Sequence, residues 1–127
     1  MRLSATTTPQ QTDGERLGAA IDRLWAVSIV ALGPIDAPPE RAREIVRRHV
    51  EKRFPGGLGS FLFWTADDAG AFDGRGRLVR PMTLHCSGEE VVVTALAAAQ
   101  GAGLEAAVAP EPDSVRILPV VIEARRR

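Results

Sequence analysis

His85, Cys86, Ser87 and Gly88 stand together where an alternating apolar pattern ends and a helix-start signal begins. A thiol at such a junction meets free backbone N–H groups and the positive end of a helix dipole. Both favour the thiolate, which makes Cys86 a candidate nucleophile or anion contact. His85 is the neighbouring acid–base candidate, although adjacent strand residues point to opposite faces and a direct Cys–His pair is not expected. The competing role for Cys86 is that of a small buried hydrophobe closing the alternating face. A ligand at this junction would be an anionic small molecule. Arg77 or Arg80 would be its charge partner, and Ser87 and Gly88 would contribute polar contacts.

Other residue groups carry weaker chemistry. Phe61 and Phe63 share one face of a strand and are expected to pack under helices. Trp64 points the other way and, if exposed beside His85, would mark a ligand face or a subunit contact. The arginines between Arg41 and Arg53 could offer a phosphate or RNA surface, but Glu44 and Glu51 are spaced to pair with Arg47 and Arg48. A solvated helix face is therefore the expected role, and nucleic-acid binding is not. Asp67, Asp68 and Asp73 lie in one loop without the spacing of a calcium-binding loop, and Asp73-Gly74 reads as turn chemistry. His49 falls on the apolar stripe of its helix and is expected to be packed. With no paired His ligands and no Walker, Rossmann or G-x-S-x-G signature, neither a metal nor a cofactor is expected.

The elements that must position these residues follow from periodicity. Thr12 and Glu15 have capping-box spacing and open a helix from Asp13 to about Trp25. Ala26–Leu32 reads as a buried strand closed by Gly33-Pro34, the competing reading being one helix from 13 to 32. Pro38-Pro39 starts a second helix, running to about Arg53. Leu58–Thr65 and Arg77–Cys86 read as strands, joined through the Asp73-Gly74-Arg75-Gly76 turn. Ser87 and Glu90 again have cap spacing, and a helix follows to Gly101. Leu104–Ala109 and Ser114–Ala124 form a hairpin, with Pro119 arguing for an edge position in the last strand. This order predicts an α+β fold: a ferredoxin-like βαββαβ sandwich, both core helices on one sheet face, with an extra N-terminal helix and an added C-terminal edge strand.

At 127 residues the chain has the size of one domain, expected over 12–124 between a flexible tail (1–11) and a frayed basic end (125–127). Lys+Arg and Asp+Glu balance at 16 each, so no global positive surplus points to nucleic acid. The single cysteine excludes an internal disulfide and fits a reducing, cytoplasmic location. The longest apolar stretch falls well short of the roughly 20 residues of a membrane span. The first functional expectation is a non-catalytic module that binds a partner protein or self-associates as a homo-oligomer through an open sheet face or edge. The alternative is a small enzyme or anionic-ligand binder centred on His85, Cys86 and Ser87.

Overall fold

The computed structural model describes residues 11–56 and 59–119. Residues 1–10 of the expected tail, the 120–124 part of the expected last strand and the basic end lie outside that range. Helix α1 spans Asp13–Ala26. The Thr12 hydroxyl accepts from the Glu15 N–H at 3.0 Å while the Thr12 N–H donates to the Glu15 carboxylate at 2.8 Å, so two orphan donors of the first turn are satisfied reciprocally. Leu17, Ala20 and Leu24 form its buried face. The helix stops because Ser28 adopts φ 68°, which turns the chain back. Residues 13–32 are thus a helix followed by a strand. That strand, β1, spans Val30–Ile35, later than expected, and passes through Gly33-Pro34 with a shift of pairing between Leu32 and Ile35.

Helix α2 (Pro39–Arg53) begins at the expected prolines, where a missing N–H costs no helical bond. Strand β2 (Phe61–Thr65) runs straight into a single helical turn, α3 (Ala66–Ala69). Strand β3 is Met82–Cys86, shorter than expected because Pro81 cannot donate to a ladder and Leu78 instead bridges Phe72. Helix α4 spans Glu89–Gly101 with Gly88 as its N-cap. The expected Ser87 cap does not form: the Ser87 hydroxyl accepts from the Phe61 N–H at 3.0 Å. Strands β4 (Glu105–Val108) and β5 (Ser114–Leu118) form the expected hairpin.

The five strands make one sheet in the order β1-β2-β3-β5-β4. β1 and β2 are parallel, connected through α2, and the remaining neighbours are antiparallel. Two expectations are corrected here. β5 is interior and ends at Leu118, so Pro119 stops the strand rather than lying on an edge, and its partner β4 takes the outer position. The ferredoxin-like sandwich is also replaced. β2 lies between β1 and β3, and the helices cover both faces.

Side-chain alternation explains the second correction. Phe61 and Phe63 point to one face and pack with Val30 against Ala42, Val46 and Val50 of α2. Leu62 points to the other and joins Leu84, Cys86, Val115 and Ile117 beneath α1 and α4. A strand buried on both faces reads as continuously apolar, as Phe61-Leu62-Phe63 does. One helix cannot span five strands, so α2 covers only the β1–β2 half of its face. Beyond it, β3 and β5 present Thr83, His85 and Arg116, half-buried, with no helix above them among the described residues. No described helix is long and apolar enough to cross a membrane.

Candidate functional site

The uncovered part of the sheet is the floor of a cleft of about 820 Å³. Its walls come from chain segments that the topology delivers to one place. The β1-to-α2 connection supplies Asp36 and Pro38, and α2 adds Glu40 and Arg43. The β2-to-α3 junction supplies Thr65, Asp67 and Asp68. Thr83, His85 and Ser114 rise from the floor, and the β4–β5 hairpin contributes Glu111. The cleft therefore lies beyond the carboxyl ends of the parallel strands β1 and β2, where open α/β sheets characteristically leave a crevice.

Asp68 is the best-held side chain in the cleft. Its Oδ2 accepts from the Thr65 N–H at 3.0 Å and from the Thr65 hydroxyl at 2.9 Å, and its Oδ1 accepts from the Thr83 N–H at 3.1 Å. The Thr65 hydroxyl in turn accepts from the Asp68 N–H at 3.2 Å, completing a capping box at the start of α3. His85 Nε2 lies 3.4 Å from Asp68 Oδ2, and each of the two side chains is only 13% exposed. That distance is at the long end for an N–H···O bond. Burial by itself would raise the Asp68 carboxyl. The nearby His85 ring, with the hydrogen bonds from Thr65 and Thr83, outweighs it and holds the group below its ordinary value.

The imidazole is fixed from a second direction. Its ring stacks on Phe63 with centroids 4.9 Å apart and planes at 19°. Phe63 is directly opposite His85 in the β2–β3 register, so strand pairing places the two rings on the same face. The Arg43 guanidinium sits 5.5 Å from the centre of the Phe63 ring and donates to the Cys86 carbonyl at 2.8 Å. At the hairpin, Glu111 accepts from Arg116 Nη2 at 2.8 and 2.9 Å. Its own backbone N–H first, and Arg116 beside it, hold the Glu111 carboxyl below its usual range. The Ser114 hydroxyl donates to the Pro112 carbonyl at 3.2 Å. Among the described residues no group of three His, Cys, Asp or Glu side chains is arranged to hold a metal ion.

Of the residues assigned to the His85–Ser87 site from sequence, only His85 reaches this cleft, whereas Asp67 and Asp68, read as loop carboxylates, and Arg43, read as part of a solvated helix face, also line it. Cys86 points to the opposite face, fully buried in the α1–α4 core, and burial pushes its thiol from 9.0 up to about 12. Of the two roles offered for Cys86, its burial fits the small buried hydrophobe and not the thiolate: desolvation dominates, and the thiol is protonated at neutral pH. Ser87 closes the β2 end, and Gly88 caps α4. Trp64 does not share a face with His85 but packs against the helix-side core. Arg77 stays at its turn, 3.8 Å from Asp73. Arg80 donates to the Asp67 carbonyl at 2.9 Å from outside the cleft wall. His49 is exposed rather than packed, and Arg47 pairs with Glu44 and Glu51 as expected of a solvated helix face.

Sequence reasoning weighed Asp68 only as a loop carboxylate and Arg43 only as part of a charged helix face, and it did not single out Glu111. A usable signal existed for Asp68. Thr65-Ala66-Asp67-Asp68 has the spacing of the reciprocal cap that identified Thr12 and Glu15. No comparable signal marks Arg43, whose partner is a backbone carbonyl 43 residues away. No family model, no curated protein and no solved structure matches this chain, so function is read from the geometry of the cleft.

Proposed function

We propose that the cleft on the open sheet face binds a small polar molecule and that His85 exchanges a proton with it, Asp68 orienting the ring and stabilising the imidazolium. The observation that carries this reading is the His85–Asp68 pair on the cleft wall, with the carboxylate held by three hydrogen bonds and the ring stacked on Phe63. A carboxylate beside an imidazole is the arrangement that lets histidine accept a proton and keep its orientation. An unstructured surface histidine would have neither support. The reading moves the alternative function from the Cys86 side of the sheet to the His85 side.

His85 and His49 are the only histidines, so each imidazole gives separable proton resonances. Screening small neutral, cationic and anionic compounds against these signals tests the proposal. At least one compound is expected to shift the His85 resonances saturably while those of His49 stay in place, and His85→Gln is expected to abolish its binding. A screen in which no compound of any charge moves His85 would remove the reading.

A second reading keeps the chain as a self-associating module. It rests on β4, whose outer edge is unpaired among the described residues and carries Val108, 61% exposed. An unpaired edge is a template for strand addition. Light scattering across a concentration series decides it: a dimer abolished by Val108→Lys supports strand pairing, and a monomer throughout removes it.

A further inference from the structure

From the same cleft we infer that its ligand is an organic cation, an amine carried as ammonium, rather than the anion expected at the His85–Ser87 junction. The inference rests on the reading of the cleft as a small-molecule site and adds the charge class of what enters it. Five carboxylates line the space, from Asp36, Glu40, Asp67, Asp68 and Glu111, against the guanidinium of Arg43, with Arg116 beside the floor paired to Glu111. Two of the five are already committed, Asp68 to His85 and its threonine donors, Glu111 to Arg116. Asp36, Glu40 and Asp67 form no ion pair among the described residues. Arg43 is drawn to the Cys86 carbonyl and over the Phe63 ring, which ties part of its donor set into the wall.

The start of α2 opposes this charge only in part. A helix N-terminus contributes about half an elementary positive charge, and the Pro39 nitrogen at the first position carries no hydrogen. The charge lining the cleft is therefore net negative, carried largely by carboxylates exposed at its rim, and it favours a cation. An ammonium group would sit toward Asp36, Glu40 and Asp67. The rest of the ligand would reach the His85 ring on the floor.

Three probes of equal chain length separate charge from shape: putrescine, 1,4-butanediol and succinate, titrated at fixed pH and ionic strength with the His85 resonances as readout. Putrescine is expected to shift them saturably, butanediol to bind roughly tenfold more weakly, and succinate to leave them unmoved. Asp36→Asn, Glu40→Gln and Asp67→Asn together are expected to bring putrescine down to the butanediol level. All three positions are polar and at the rim, and unchanged His49 resonances and an unchanged unfolding midpoint show that the variant is folded. Succinate binding as tightly as putrescine overturns the cationic assignment while leaving a small-molecule site at His85. Silence from all three probes also overturns it, and the wider compound screen then decides the reading underneath.

Discussion

At the scale of single residues, Asp68 joins α3, β2 and β3, because its two oxygens accept from Thr65 and Thr83 while facing His85. Replacing it with Asn keeps the volume but gives up the charge and leaves an amide among donors. Asp68→Asn is expected to destabilise the fold by about 1–3 kcal/mol in urea unfolding, the usual cost of breaking a buried polar network. The direction of its shift also sets a pH signature. A carboxyl held below its ordinary 3.8 in the folded state contributes stability that is present above that value and lost as pH falls through the lower folded value. Wild-type stability should therefore fall more steeply below about pH 4 than that of Asp68→Asn, measured as urea midpoint against pH. Cys86 has the opposite sign. Its folded thiol stays protonated up to about 12 while the unfolded thiol ionises near 9.0, so its contribution to stability is lost as pH rises through that interval. Iodoacetamide at pH 8 should leave the native thiol unmodified and alkylate it fully once denaturant unfolds the chain. Rapid native alkylation would refute the burial argument.

At the scale of elements, the junction of β1 and β2 depends on a missing side chain. A Cβ on Gly33 would stand 2.3 Å from the Trp64 indole, well inside contact distance. The indole packs against the β1 backbone at Gly33, and this close approach is why glycine occupies a strand interior where it is otherwise unfavourable. Gly33→Ala should cost about 1–3 kcal/mol through overpacking. The cost should shrink when Trp64 is replaced by Leu, a coupling that a double-mutant cycle by denaturant unfolding would read. If Gly33→Ala costs the same with either residue at 64, the clash is not the cause. The caps act more locally. Thr12 serves α1 as Thr65 serves α3, but only Thr65 also donates to the side chain that faces the cleft.

At the scale of the whole molecule, the strand order leaves two outer strands, and they differ in protection. The Val30 N–H pairs with the Ser60 carbonyl, so the backbone groups of Ala31 point away from β2, toward the open edge. The Trp25 indole N–H, at 3.2 Å, donates to that outward Ala31 carbonyl. Together with Pro34, which has no N–H to offer, it blunts β1 as a template for another chain. Trp25→Ala should raise self-association relative to the wild type, seen as a concentration-dependent rise in scattering mass. An unchanged mass would show that the indole does not guard the edge. On β4 the Gln100 side-chain amide donates to the outward Ala106 carbonyl at 3.2 Å, but Val108 beyond it has no such partner among the described residues, which is why the self-association reading rests there.

Local chemistry was legible in the chain itself. The Thr12–Glu15 cap, the proline start of α2, the turn at Asp73 and the hairpin between β4 and β5 all use neighbouring residues, so a window of a few positions contains the whole cause. The opposite facing of His85 and Cys86 was also readable, since it follows from the strand period alone. Which of those faces carries a cleft was not. That depends on α2 crossing to the face that α1 and α4 leave free, and on its covering only β1 and β2. His85 gains its meaning from Asp68 and Phe63, and Cys86 loses its thiolate to desolvation by α1 and α4. Pairing rules act over a few residues, whereas burial and long-range charge depend on which segments end up side by side. Only the tertiary structure decides that.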